Sequence, residues 1–165
     1  MINLEANRLY LCNVHPKDAS VMTEYRNDEC CARFQRGQTK DPEGIKALLE
    51  SRQFDEISDE KNFMVAIRLK QTDEFVGEIV VMPNDGCFSI GYTIHYAHHR
   101  KGYAYEALKT LTEHLHGKYP SMEFISFTEP ENVPSRRLLE KLGYADLGYA
   151  PKVTSQVYGK WLAEE

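Results

Sequence analysis

The sequence predicts an α+β fold with a mixed sheet, and three observations carry that prediction. Three strand-like runs, residues 63–69, 75–82 and 87–96, follow one another across polar turns. After them the order becomes helix, strand, helix, strand over residues 103–162. Both later helical runs carry an apolar stripe or a recognisable stop. Consecutive strands joined by short turns pair antiparallel, whereas a strand–helix–strand unit sets its strands parallel, so the sheet combines both.

Each element has its own justification. Residues 8–14 alternate well enough for a first strand. His15-Pro-Lys-Asp-Ala-Ser20 then opens a short helix with Pro16 in its first turn. Residues 26–40 show no period and carry Asn, Asp and Gly, which predicts a loop or broken helix. Asp41-Pro42-Glu43 joins an N-cap acid to a first-turn proline, and Ile45, Leu48, Leu49, Arg52 and Ile57 continue a helical stripe to residue 59. Gln71-Thr-Asp-Glu74 and Pro83-Asn-Asp-Gly86 are the turns of the meander. Residues 103–118 set Ala104, Ala107, Leu108, Leu111 and Leu115 on one face, as in a helix packed on a sheet. Residues 122–128 are a strand, 134–142 a helix stopped by Gly143, and 153–162 a last strand.

At 165 residues, 42% of them hydrophobic, the chain is expected to be one domain, 1–165, with a substantial core. Charged Glu5 and Arg8 interrupt the first ten residues, which predicts no signal peptide, and no apolar run of about 18 residues predicts a membrane span. Cys12, Cys30, Cys31 and Cys87 form no C-x-x-C pair, so they are expected to be reduced thiols of a cytoplasmic protein. A net charge of −5 opposes non-specific binding to nucleic acid. Positive charge is nevertheless concentrated at Arg100, Lys101, Arg136 and Arg137, which suits a small polyanion.

The most informative stretch is His99-Arg-Lys-Gly-Tyr-Ala104, a small-residue turn between a strand and a helix. Such a turn aims several main-chain N–H groups outward at the positive end of a helix dipole, a ready phosphate site. Gly102 and Ala104 let a ligand approach the backbone closely. A second feature is Asn132-Val-Pro-Ser-Arg-Arg-Leu-Leu-Glu-Lys-Leu-Gly-Tyr144.

With these motifs the chain resembles the GNAT superfamily of acetyl-CoA-dependent N-acetyltransferases, and within it the branch of ribosomal-protein alanine acetyltransferases. The family's cofactor motif, Gln/Arg-x-x-Gly-x-Gly/Ala, falls on His99, Gly102 and Ala104, with histidine in place of the usual first residue. Leu4-Glu5, Arg8-Leu-Tyr-Leu11, Pro16-Lys-Asp-Ala19, Ile90-Gly-Tyr-Thr-Ile94, Asn132-x-x-Ser135 and Lys141-x-Gly143-Tyr144 continue the likeness in order. The resemblance implies a mostly antiparallel central sheet of about seven strands flanked by helices. It implies acetyl-CoA as co-substrate and no metal. Main-chain groups of Ile94, His95 and Tyr96 would pair with the pantetheine arm, and His99, Arg100, Lys101, Gly102, Tyr103 and Ala104 would hold the pyrophosphate. Asn132 would bind pantetheine, and Ser135 would sit near the sulfur and donate to the departing thiolate as the catalytic residue. Many relatives carry a tyrosine general acid seven residues after that Asn; here the position is Leu139, which has no proton to give.

The implied reaction is direct attack of an amine on the acetyl thioester. No cysteine lies in either motif, which argues against a covalent acyl-enzyme. Keeping a lysine amine neutral at pH 7 costs about 4.6 kcal/mol, whereas an α-amine costs about 1 kcal/mol. With no obvious base, an α-amine or another weakly basic amine is favoured, from a peptide N-terminus or a small molecule. Glu78, His95, Glu129, Tyr158 or a water relay are the candidate bases, none singled out. His95-x-x-His98-His99 is not expected to hold a metal, because adjacent histidines point apart. The expected partners are the coenzyme and the amine, with neither nucleic acid nor membrane, in a monomer or homodimer. The alternative is a CoA-binding module or sensor that has lost catalysis.

Overall fold

A computed structural model describes residues 1–164. Eight strands form one sheet in the order β1-β2-β3-β4-β5-β6-β8-β7. They are β1 (Asn3–Glu5), β2 (Leu9–Asn13), β3 (Phe63–Leu69), β4 (Phe75–Asn84), β5 (Cys87–Ile94), β6 (Glu123–Thr128), β7 (Ala145–Ala150) and β8 (Ser155–Lys160). Every neighbouring pair is antiparallel except β5 and β6. The helices are α1 (Ala19–Arg26), α2 (Glu29–Ala32), α3 (Pro42–Arg52), α4 (Tyr103–Lys118) and α5 (Val133–Lys141). The α+β class with a mixed sheet is therefore as the sequence predicts.

Helices cover both faces of the sheet. One core joins Leu108, Leu111 and Leu115 of α4 and Leu139 of α5 to Phe63, Val65 and Ile67. The other joins Met22 and Tyr25 of α1 and Ile45 and Leu49 of α3 to Met64 and Ala66. Strand β3 thus feeds its odd residues to one core and its even residues to the other, which is why it reads as continuously apolar.

The differences from expectation have local causes. The 153–162 strand is shorter, Ser155–Lys160, and follows an additional edge strand, β7, whose residues are mostly exposed and whose register shifts near Gly148. An edge strand wet on both faces has no alternation to read. Helix α3 ends at Arg52 rather than near residue 59, because the following turn is taken up elsewhere. There the Asp55 carboxylate accepts from the Met64 N–H at 3.0 Å, and the Asp55 carbonyl accepts from Asn13 Nδ2 at 2.7 Å. Strand β5 stops at Ile94, two residues early, since Tyr96–His98 form a 3-10 turn capped by the His95 side chain.

The parallel pairing of β5 with β6 lasts only from Cys87↔Glu123 to Ser89↔Ile125. Beyond it the two strands separate, and residues 90–94 of β5 have no strand partner on that side. The resulting gap lies between the N-termini of α4 and α5.

Candidate active site

The gap edge of β5 is set by the alternation of an antiparallel ladder. The His95 N–H donates to Val76 O on β4 at 2.8 Å, so the neighbouring groups of Tyr92 and Ile94 face away from β4. The Tyr92 carbonyl accepts from Gln35 Nε2 at 3.2 Å, and the Ile94 carbonyl accepts from His99 Nε2 at 2.7 Å and from the Cys31 thiol at 3.3 Å. Of residues 94–96, Ile94 alone presents such an edge. The His95 carbonyl accepts from the His98 N–H at 2.9 Å, so both its main-chain groups are committed within the protein, and the Tyr96 carbonyl faces the His99 N–H at 3.4 Å. Strand β5 thus ends one residue before His95.

The corner at the start of α4 is strongly shaped. Arg100 has φ 62° and Gly102 has φ 79°, two left-handed positions in three residues. Gly102 is the N-cap and supplies no side chain to the helix end. Among the described residues no acceptor takes the N–H groups of Arg100, Lys101, Gly102, Tyr103, Ala104 or Tyr105; the first helical bond is Glu106 N–H to Gly102 O, 3.1 Å. Alternating right- and left-handed backbone with unpaired N–H groups forms an anion-binding concavity. His99 stands apart from this set: its imidazole turns back to Ile94, with Nδ1 3.9 Å from Cys30 Sγ.

Arg8, which sequence patterning gave no reason to single out, braces the corner. Its Nη1 donates to Lys101 O at 2.8 Å, its Nε to Glu106 Oε1 at 2.7 Å, and its N–H to Glu106 Oε2 at 2.7 Å. The guanidinium also lies 4.7 Å from the Tyr103 ring centre. An open groove leads away from it, lined by Arg8, Gly102, Tyr105, Lys109 and Lys141 among others.

On the facing wall, Asn132 caps α5 by accepting from the Ser135 N–H at 3.3 Å, and its amide Nδ2 makes no hydrogen bond among the described residues. The Ser135 hydroxyl is half-buried and lies 3.3 Å from the Tyr92 hydroxyl across the gap. Burial pushes the Tyr92 hydroxyl above its usual pKa. Tyr92 is the second residue missed from sequence; the alternation of Ile90, Tyr92 and Ile94 is the signal that places it on this side.

The candidate bases are already engaged. Glu78 is 1% exposed, and its carboxylate takes Arg26 Nε at 2.8 Å, Arg26 Nη2 at 2.6 Å and the Tyr25 hydroxyl at 2.8 Å. It is thus no solvent-facing strand residue. The Tyr158 hydroxyl, wholly buried, accepts from Arg136 Nε at 2.9 Å. Glu129 accepts from Arg36 at 2.8 and 2.5 Å. His95 Nδ1 accepts from the Ala97 N–H, which leaves Nε2 protonated and donating to Glu24 at 3.2 Å. Among the described residues no three His, Cys, Asp or Glu side chains gather as a metal site would require. The four cysteines are free, although Cys30 and Cys31 come from α2 to flank His99.

Comparison with known proteins decides the family: an acetyltransferase (GNAT) domain matches residues 8–145. The chain belongs to the GNAT acetyltransferases. As an N-acetyltransferase it is 26% identical over 153 residues to an uncharacterized N-acetyltransferase of Bacillus subtilis, covering 92% of this chain and 87% of that protein. Its fold is similar to a GNAT-family acetyltransferase of Bacillus anthracis, with a TM-score of 0.80, 24% identity and 95% of both chains covered. It is also similar to RimL, a ribosomal L7/L12 α-N-protein acetyltransferase solved with coenzyme A, at a TM-score of 0.77, 11% identity and 96% of both chains. Within this GNAT enzyme no helix of the described residues is long and apolar enough to cross a membrane.

Proposed function

We propose that this GNAT enzyme transfers the acetyl group of acetyl-CoA directly to a primary amine, the α-amine of a peptide N-terminus or a small-molecule amine of low basicity. The observation that carries the reading is the run of unpaired N–H groups from Arg100 to Tyr105 opening beside the β5–β6 gap. These groups, with the Arg100 and Lys101 side chains, hold the pyrophosphate. The groove past Lys109 and Lys141 takes the far end of the coenzyme. The gap edge at Ile94 and the free Asn132 amide line the pantetheine arm, which sets the thioester beside Ser135.

A neutral amine attacks the thioester carbon, the C–S bond breaks with its electron pair left on sulfur, and the Ser135 hydroxyl donates to that sulfur. Since Glu78, Glu129, Tyr158 and His95 all hold other partners, the surplus proton of the amine leaves through water. An acceptor that is largely neutral at pH 7 suits a site built this way. Four free thiols are consistent with a reducing, cytoplasmic setting.

A thermal-shift comparison of acetyl-CoA, CoA and ATP, followed by thiol release across peptides, polyamines and aminoglycosides, tests the reading. Stabilisation by acetyl-CoA with amine-dependent thiol release is expected. Binding without turnover on any amine would identify a CoA-binding module instead, and no binding would refute the coenzyme site.

A further inference from the structure

We propose that Tyr92 is a positioning residue for the leaving group, holding the Ser135 hydroxyl from the opposite wall and relaying a proton through it to the departing thiolate. The inference rests on the acetyl-CoA reading of the same gap.

Helix α5 has no phenol to offer. Leu139, one turn after Ser135 on the same face, is apolar and 5% exposed. Tyr92 and Leu139 line one small cavity together with Leu142 and Tyr144. Strand β5 therefore brings a phenol against the part of α5 that lacks one. The Tyr92 hydroxyl lies 3.3 Å from Ser135 Oγ, a slack contact of the kind that tightens when substrate binds. Burial keeps its proton on through the neutral range.

The rest of the hydrogen bonding gives the pair a direction. Ser135 is fixed at its backbone by the Asn132 cap. Among the described residues the Ser135 hydroxyl hydrogen has no acceptor, and the Tyr92 hydroxyl has no partner other than Ser135. The chain Tyr92 O–H to Ser135 O–H thus ends in one free donor, where the resemblance sets the coenzyme sulfur.

In the step, the amine nitrogen bonds to the acyl carbon and the C–S bond breaks onto sulfur. The thiolate takes the Ser135 proton while Ser135 Oγ takes the Tyr92 proton. Water then returns a proton to the phenolate, and the amine's surplus proton passes to solvent, so charge and atoms balance.

Tyr92→Phe tests this, because it removes one oxygen and keeps the ring that packs against Leu139. Binding of acetyl-CoA is measured by titration calorimetry, and thiol release is followed with an amino-terminal alanine peptide and with water as acceptors. The expected result is a kcat lowered about tenfold or more, an unchanged KM for acetyl-CoA and unchanged calorimetric affinity. In a Ser135→Ala background the same change adds nothing, because the relay is already cut. Wild-type rates in Tyr92→Phe, or an equal loss in both backgrounds, would overturn the relay while leaving the coenzyme site standing. A wild-type protein that does not bind acetyl-CoA would instead bring down the coenzyme reading, and one that binds it without releasing thiol would overturn the relay. A melting curve and Tyr92→Trp, which also lacks the hydroxyl, separate lost proton relay from lost packing.

Discussion

Arg8, immediately before β2, grips both carboxylate oxygens of Glu106 in the first turn of α4, 98 residues later in the chain. The same guanidinium donates to Lys101 O, so one side chain ties the edge of the sheet to the anion-binding turn. The pair is partly exposed, and its worth lies in holding a shape more than in stability. Arg8→Ala is expected to raise the KM for acetyl-CoA about tenfold with little change in kcat, since ordering of the empty turn then falls to the coenzyme. Steady-state kinetics against acetyl-CoA checks this; an unchanged KM would show that the turn holds itself.

Gly102 is needed for its backbone. At φ 79° a side chain is strained, and a Cβ there would meet Arg8 Nη2 at 3.3 Å. Gly102→Ala costs about 1–2 kcal/mol in the left-handed conformation and pushes against the brace. Coenzyme affinity by calorimetry is expected to fall about five- to thirtyfold, the equivalent of that energy, with the fold retained by circular dichroism.

Glu78 and Arg26 form a buried bidentate pair with side chains 2% and 4% exposed. Removing one partner of such a pair strands the other charge, at about 3–5 kcal/mol. Glu78→Gln should therefore lower the melting temperature by roughly 10 °C, as expected for a domain of this size. Activity measured well below the new melting point should stay near the wild-type value. A kcat that collapses with no thermal change would make Glu78 a base after all.

The thiol of Cys31 is pushed up to about 11 by burial, with Asp28 adding to it. Its pKa is thus higher folded than unfolded, so the folded state holds the extra proton between pH 9 and 11. Stability is unaffected by this group below pH 9 and falls as pH rises through that window. Chemical denaturation at pH 8 and pH 10.5 should show a decline that is smaller in Cys31→Ala. At pH 8 iodoacetamide should label exposed Cys30 ahead of Cys31, read by peptide mass.

What the sequence disclosed depended on how local the cause was. The stripe on α4 and the cap at Asp41 are set by neighbours within a turn or two, and they stand as expected. Arg8 carried no signal because its partners, Lys101 in the turn before α4 and Glu106 in its first turn, lie far along the chain. Glu78 falls among the apolar residues Phe75 to Met82 of β4, and only the approach of Arg26 and Tyr25 explains a buried carboxylate there. The thiols beside His99 were equally invisible, since α2 reaches the coenzyme turn only in the folded chain. Strand β7 went unread because it lies wet at the sheet edge.

The most direct test of the account is a ¹H–¹⁵N amide spectrum recorded during titration with acetyl-CoA. The largest shifts are expected at Arg100 through Tyr105, with smaller ones at Ile94 and Ser135. Saturable binding that leaves the amides of Arg100–Tyr105 in place while others move would contradict it.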